Sequence, residues 1–310
     1  MIKCFGNGRG TIAARPEGSI RVAPFAFRHP AANLGAFAAA VIIISVPVGP
    51  ACAQGKVEAT YRATLAGIPI GSGSWIIDIG PKHYAGAATG RASGLVRVLV
   101  SGEGSSTVRG SVKQGRLIPA IFAANIHSHE SYDVRMEMSG GNVKTLKNDP
   151  PITESPDRVP LTDTHRRGVL DPMTALMIVV PGTGEVASGD ACHAKLPIFD
   201  GRQRFDLTLS FKRMEAVDSE KGYRGPAVVC SASYAPIAGH RPGRYVIRYL
   251  QETRDIEIWL APIAGTRVLI PYRVSIPTLF GNAILQAAQF ESEAQAPAPS
   301  RAANPSERGS

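Results

Sequence analysis

The chain of 310 residues lacks the short motifs that mark the commonest enzyme classes. No serine occupies a Gly-x-Ser-x-Gly turn, no His-Glu-x-x-His pair is present, and no Walker loop occurs. A Gly-x-Gly-x-x-Ala spelling at residues 182–187 follows a proline and has no strand before it, so it lacks the setting of a dinucleotide-binding loop. These absences argue against the familiar enzyme classes without excluding any of them, and the sequence alone identifies no reaction.

The sequence also lacks an apolar run long enough to cross a bilayer. The run before Pro47 has about 13 residues, whereas a membrane-spanning helix needs about 20. Small residues follow it at Ala51, Cys52 and Ala53, which is typical of a signal-peptidase site. We therefore predict that residues 1–53 are a signal peptide cleaved after Ala53, that no transmembrane span remains, and that the mature protein is periplasmic. Because the region before the apolar run is unusually long, we expect translation to start near Val22.

Cysteine is scarce, and cleavage makes it scarcer. Cys4 and Cys52 leave with the signal, so that only Cys192 and Cys230 remain of four cysteines. A lipidated Cys52 is an alternative, but a lipobox has a leucine-like residue where this chain has Gly49. An even pair in an oxidising compartment predicts a disulfide, the alternative being two buried thiols. Neither cysteine has a Cys-x-x-Cys partner, so we expect no structural zinc at this pair and predict no cofactor.

Clusters of basic residues are missing as well. Removing residues 1–53 lowers the formal net charge by four, from +9 to +5, and the remaining charges of both signs are interspersed. Nothing resembles the Lys/Arg stripe that follows a nucleic-acid backbone, so we predict no nucleic-acid partner. The residual positive charge is compatible with a mild attraction to anionic lipid or envelope polysaccharide.

Period-two alternation of apolar and polar residues dominates the mature chain. It is clearest at 57–65, 132–138, 204–211 and 268–276, and weaker candidates include 95–100 and 245–250. We predict a mainly β fold, an antiparallel curved sheet that forms an open half-barrel or a sandwich. Asp171-Pro172 can start a helix, and Pro181-Gly182 can end it, so a short helix is predicted at 171–180, either a plug in a β cavity or ordinary packing on the sheet.

A single domain is expected over residues 54–293. Four prolines between Asn148 and Pro160 predict a long loop near 148–160, not a firm domain boundary. The Pro-, Ala- and Ser-rich residues 294–310 predict a disordered tail.

Three sets of residues are candidates for a site. His127 and His129 project from one face of a predicted strand and could bind a metal if a third ligand came near, although solvation explains them equally well. Arg202 and Arg204 follow an Asp200-Gly201 turn and could clamp a carboxylate or phosphate, or simply line a wet strand face. Trp259 is out of phase with its apolar neighbours and could line a cavity, pack under a loop or stack on a sugar.

Four segments together resemble a bacterial family called domain of unknown function 3108. They are Gly67-Ile68-Pro69-Ile70-Gly71, Val169 to Leu176 (VLDPMTAL), Phe199 to Asp206 (FDGRQRFD), and Ile258-Trp259-Leu260 followed by Pro271-Tyr272-Arg273-Val274. The resemblance covers roughly Lys56 to Glu291. It implies an exported protein and a curved antiparallel sheet similar to the lipoprotein-carrier half-barrels, and it supplies no catalytic residues.

Three hypotheses on function follow. The one we favour is a non-enzymatic periplasmic protein that holds a lipid or another hydrophobic envelope molecule in an apolar groove. The second is a structural or assembly factor that binds another envelope protein through a sheet edge or a surface patch. The third is an enzyme acting on polysaccharide or lipid, which requires ionisable groups converging in a cleft.

Overall fold

A computed structural model describes residues 54–93, 102–128, 131–153, 155–253 and 255–296. One antiparallel sheet dominates these residues, as the alternation predicts. The strands found in them are β1 (Gly55–Leu65), β2 (Ile68–Ile79), β3 (His83–Ala92), β4 (Glu103–Lys113), β5 (Arg116–His127), β6 (Tyr132–Ser139), β7 (Asn142–Asp149), β8 (Ile178–Val179), β9 (Lys195–Phe199), β10 (Arg204–Asp218), β11 (Arg224–Ala238), β12 (Ile256–Pro262), β13 (Val268–Thr278) and β14 (Gly281–Ala294).

The sheet consists of two antiparallel meanders, β1 to β7 and β9 to β14, which are joined where the first and last strands pair. Neighbours run β7-β6-β5-β4-β3-β2-β1-β14-β13-β12-β11-β10-β9, and the short β8 pairs with β13. The first and last strands of the chain therefore meet in the middle, where β1 pairs with β14 from Gly55 opposite Ala294 to Leu65 opposite Ala283. The predicted open antiparallel sheet is confirmed, and Ala294, expected to open the tail, is instead the last residue of β14.

Residues 168–170 connect the two edge strands of the sheet. The backbone N–H of Val169 donates to the carbonyl of Gly141, beside β7, over 2.7 Å. The next residue, Leu170, forms a parallel bridge with Ile198 of β9, in which its N–H donates to Pro197. A single extended segment thus satisfies backbone groups on both edges, which curves the sheet without closing it strand to strand.

Alternation along the strands produces the main core, as in β1. Val57, Ala59 and Tyr61 are buried, whereas Glu58 and Thr60 are exposed. The same holds in β6 for its three buried residues at 134, 136 and 138. The pattern fails in β10, where Leu209 is buried but Phe211, on the same face and just before a β-bulge, is 46% exposed.

Parts of strands β11 to β13 are buried on both faces, as the consecutive buried residues 227–230, 258–261 and 268–272 show. Alternate residues of β12 separate into two cores, because Trp259 packs into the main core while Ile258 and Leu260 pack into a second, smaller core. The second core also contains Cys192 and Cys230, whose Cα atoms are 5.4 Å apart and whose sulfurs are bonded. The predicted disulfide is confirmed in the structure and joins the layer that covers this face to strand β11.

Two helices depart from the sequence-based predictions. The helix predicted at 171–180 starts as expected, since Oδ1 of Asp171 accepts hydrogen bonds from the N–H groups of Met173 and Thr174. It is only α1 (Pro172–Ala175), because the next apolar residues turn out to form β8 against β13. The strand predicted at 245–250 is wrong. These residues belong to α2 (Tyr245–Glu252), in which Ile247, three positions before Leu250, is buried.

Two 3-10 helices, Asp163–Arg166 and Gly189–Cys192, complete the structure of the described residues. Between β7 and the first of them, residues 150–153 and 155–162 are irregular, as the prolines predict. None of the helices in the described residues has the length and apolar character needed to cross a membrane. The predicted signal peptide, the strand predicted at 95–100 and most of the predicted tail lie outside the described residues.

Candidate ligand cleft

A cleft of about 790 Å³ lies between the turn joining β4 to β5 and the segment that carries β8 and the second 3-10 helix. Its volume falls in the range of roughly 300–1,000 Å³ that is usual for small-molecule sites. Its apolar lining residues are Ile79, Val112, Leu117, Ile178, Val179, Val180, Pro181, Ala191, Ala194 and Val268.

One wall of the cleft is held by a single arginine. Arg267, just before β13, donates from Nε to the carbonyl of Val180, from Nη2 to Pro181 and from Nη1 to Gly184, over 2.9, 3.0 and 2.7 Å. Each of these charge-assisted hydrogen bonds fixes one residue of an irregular segment, in which only Ile178 and Val179 pair with a neighbouring strand. This guanidinium therefore shapes the wall, with three of its five N–H donors bound to the backbone.

The disulfide anchors the neighbouring part of the same wall. Asp190 and Ala191 of the 3-10 helix line the cleft, and the helix ends at the disulfide-bonded Cys192. Cys230 lies on β11 in the second core, so the bond fastens the wall to the rigid sheet. A wall fastened in this way keeps the cleft open at a small conformational cost on binding.

The chemistry of the cleft suits an amphipathic molecule. Aliphatic side chains make up most of its surface, and polar or charged groups occur among its lining residues at Gln114, Arg116, Asp190, His193 and Thr266. Arg116 and His193 are exposed to solvent, whereas Val180 and Val268 are buried. Such a site can take an apolar chain out of water while a polar headgroup stays at the exposed groups.

Trp259 does not line this cleft. Its side chain is only 5% exposed and belongs to the main core, with the guanidinium carbons of Arg273 and Arg213 at 4.8 and 5.4 Å from the ring. The prediction that its ring lies on the face opposite Ile258 is confirmed. Two cations over a buried ring make a packed cation–π arrangement, not a sugar platform.

The two arginines after the Asp200-Gly201 turn have different surroundings. Gly201 has a positive φ, +94°, and Asp200 Oδ1 accepts hydrogen bonds from the backbone N–H groups of Arg202 and Gln203. Arg204 forms an ion pair with the buried Asp206, in which its Nη1 donates to Oδ1 over 2.5 Å. Neither arginine lines the cleft.

His127 lies in a separate, polar depression on strands β2 to β5. Ser72, Arg91 and Glu103 line the same depression. The second predicted ligand, His129, lies outside the described residues, and the ranges that the structure describes contain no group of three or more His, Cys, Asp or Glu side chains arranged for a metal ion. The proposed metal pair remains a prediction.

Sequence reasoning missed the cleft residues, although one signal pointed toward them. The lining comes from strands far apart in the chain and from an irregular segment, so no local periodicity reveals it. The cysteine pair was the usable signal, because Cys192 had to be carried to the sheet by the segment that precedes it. Residues next to a disulfide that links a loop to a sheet are natural candidates for the wall of a cavity.

Comparison with protein families gives a match over most of the chain. The family model described as protein of unknown function (DUF3108) matches residues 60–287. The chain belongs to this family. The matched range includes both walls of the cleft and the disulfide, so these features lie within the DUF3108 domain. The comparison also confirms the family resemblance noted in the four segments.

Other comparisons add little about this DUF3108 member. No curated protein matches the chain. Among solved structures, a match is the crystal structure of a beta-barrel-like protein of domain of unknown function DUF1849 from Brucella abortus. That match has 7% sequence identity and a TM-score of 0.41, and it covers 78% of this chain and 99% of the other.

Proposed function

We propose that this DUF3108 protein is exported to the periplasm and binds a lipid or a similar hydrophobic envelope molecule in the cleft between the β4–β5 turn and the disulfide-anchored segment. The observation that carries the proposal is the cleft itself, which is large, mostly aliphatic and bordered by exposed polar groups. Val112, Val179, Pro181 and Ala194 keep apolar surface in contact with water, and burying such surface under an apolar ligand is favourable by about 25 cal/mol per Å².

Binding in the proposed cleft needs no catalytic group. The ionisable residues that line it, Arg116, Asp190, His193 and Arg267, include one structural clamp and three groups near solvent. Asp190 and His193 lie 4.0 Å apart at a surface position where both are largely solvated. We infer that the protein sequesters or carries its ligand and leaves it chemically unchanged.

A displacement assay with a variant that fills the cleft tests this proposal. Ala194 lines the cleft and is half-buried, so Ala194→Phe puts a ring into the cavity. The wild-type protein is expected to bind a fluorescent fatty acid with micromolar affinity, and the variant to bind it at least tenfold more weakly. Ala216→Phe, at an exposed position on β10 that does not line the cleft, is the matched control and should bind like wild type.

Absence of saturable binding to the wild-type protein would reject the proposal. Equal binding by both phenylalanine variants would place any ligand elsewhere. Export is tested separately, by sequencing the N-terminus of the protein from the periplasm of its own host. A mature protein that starts at Gln54 supports the proposed cleavage after Ala53, and one that retains residues before it contradicts the proposal.

An exposed apolar tip supports a second candidate function, attachment to another envelope protein. Leu279 and Phe280, in the turn between β13 and β14, are 72% and 78% exposed. The turn between β1 and β2 lies beside them, since the N–H of Ala66 donates to the carbonyl of Asn282 over 3.0 Å, and Ile68 next to it is also exposed. Clustered exposed apolar side chains mark interaction surfaces more often than single ones do.

Substitution at the tip separates this second function from the first. Phe280→Ser is expected to abolish crosslinking to an envelope partner while leaving fatty-acid binding unchanged. Met214→Ser, at an exposed apolar position on β10, serves as the control. A crosslinked product that survives Phe280→Ser would contradict attachment through the tip.

A further inference from the structure

Several arginines lie together where two distant segments cross. The N–H of Val159 donates to the carbonyl of His240 over 2.9 Å, and the N–H of Gly239 donates to the carbonyl of Val159 over 2.8 Å. Arg158 adds a third bond, from Nη1 to the carbonyl of Gly239, over 2.8 Å. The crossing therefore places Arg158 beside His240 and beside the residue that follows it, Arg241.

The turn between β9 and β10 brings a further arginine to this crossing. Gly239 has φ +78°, and a Cβ atom there would lie 2.2 Å from the carbonyl oxygen of Arg202. Only glycine permits this close approach. The Arg202 guanidinium is in turn held over the ring of Tyr132, with its central carbon 4.5 Å from the ring centre. Backbone contacts and ring stacking thus fix these side chains near one another.

The cluster contains an unusual concentration of buried nitrogen atoms without hydrogen-bond partners. Of eight such buried side-chain nitrogen atoms in the part of the chain that the structure describes, four belong here: Nε of Arg158, Nη1 of Arg202, Nδ1 of His240 and Nε of Arg241. The His240 side chain is 8% exposed. The three guanidinium nitrogens are donors, and because buried donors are normally satisfied, a group of them at one place indicates a missing acceptor.

Nearby carboxylates do not supply that acceptor. Asp157 lies 3.3 Å from Nε of Arg241 in an ion pair without hydrogen-bond geometry, and it accepts a hydrogen bond from Ser155. Asp200 uses Oδ1 for the N–H groups of its own turn. Positive charge remains in excess. Burial lowers the pKa of Arg158, and Arg241, Arg202 and Arg244 lower it further by repulsion.

We propose that Arg158, Arg202, His240 and Arg241 form an oxyanion site that binds a phosphate group. A tetrahedral phosphate offers several acceptor oxygens, and guanidinium groups recognise it through paired, charge-assisted hydrogen bonds. The group can come from free phosphate or from the headgroup of a phospholipid. These residues do not line the apolar cleft, so the site stands independently of the lipid-binding proposal.

Titration of the folded full-length mature protein with inorganic phosphate tests the site. Isothermal calorimetry and 31P NMR are expected to show saturable binding that weakens at least tenfold in Arg202→Gln and in His240→Gln, because each loses a hydrogen bond to a charged group. Arg109→Gln is the matched control, since Arg109 is an exposed arginine on β4. Circular dichroism of each variant confirms that it is folded.

A second arm distinguishes the two sources of phosphate. Cosedimentation with phosphatidylglycerol–phosphatidylcholine vesicles is compared with that of pure phosphatidylcholine vesicles. Binding to the anionic vesicles that is lost in Arg202→Gln, without binding of free phosphate, assigns the site to a lipid headgroup and still supports it. No binding of either probe by the wild-type protein, or equal losses in Arg202→Gln and Arg109→Gln, overturns the proposal.

Discussion

The disulfide is expected to be a principal source of stability and to hold the cleft in shape. Cys192 and Cys230 are 38 residues apart, and both are fully buried. On the chain-entropy estimate, closing a loop of this length stabilises the folded state by about 4 kcal/mol. A domain of this size loses about 2–4 °C of melting temperature per kcal/mol, so removing the bond should lower Tm by about 8–16 °C.

Thermal unfolding of the double variant Cys192→Ala/Cys230→Ala, followed by circular dichroism, measures this effect. Wild-type protein treated with reductant until mass spectrometry shows two free thiols should melt near the variant, and the variant itself should not respond to reductant. Fatty-acid affinity should fall in parallel, because the cleft wall at Asp190 and Ala191 loses its anchor. A decrease in Tm of less than about 3 °C after complete reduction would refute the reasoning.

Two further predictions concern a charge network and a turn. Arg213 donates hydrogen bonds to Glu257 and thereby lowers the pKa of that carboxyl. The ionised Glu257 therefore stabilises the fold above its unfolded pKa of 4.5, and this stabilisation is lost as the pH falls through the lower pKa of the folded state. Glu257→Gln should therefore melt below wild type at pH 7, with a gap that narrows below pH 4.5 in parallel melting curves; a constant gap would contradict this. Gly201→Ala adds a Cβ atom 2.3 Å from Cγ1 of Val134 at φ +94°, and urea unfolding should show a loss of about 1–3 kcal/mol. Gly243→Ala, which meets nothing within 4 Å, is the control, and equal losses in the two variants would contradict the close-approach argument.

Local alternation was enough to predict the sheet. A residue's phase in a strand depends only on its neighbours, which is why the buried faces of β1 and β6 and the opposite face of Trp259 were correctly predicted. Redox chemistry added the disulfide pairing, since only two cysteines remain in the predicted mature chain.

Long-range contacts explain the failures. Tyr245 and Val246 have high strand propensity, but the segment is helical because Ile247 packs inward and the Tyr249 hydroxyl donates to the carbonyl of Pro277. The two predicted clamp arginines do not act together, because Arg204 pairs with Asp206 whereas Arg202 stacks on Tyr132. Contacts of this kind depend on register between distant strands, which no sequence window contains.

Native mass spectrometry, combined with lipid extraction, of mature protein purified from the periplasm of its own host tests the central claim most directly. The account predicts a stoichiometric lipid or similar apolar molecule in the wild-type protein, and its loss in Ala194→Phe but not in Ala216→Phe. A wild-type protein that carries nothing under gentle conditions and binds no added fatty acid would contradict the account.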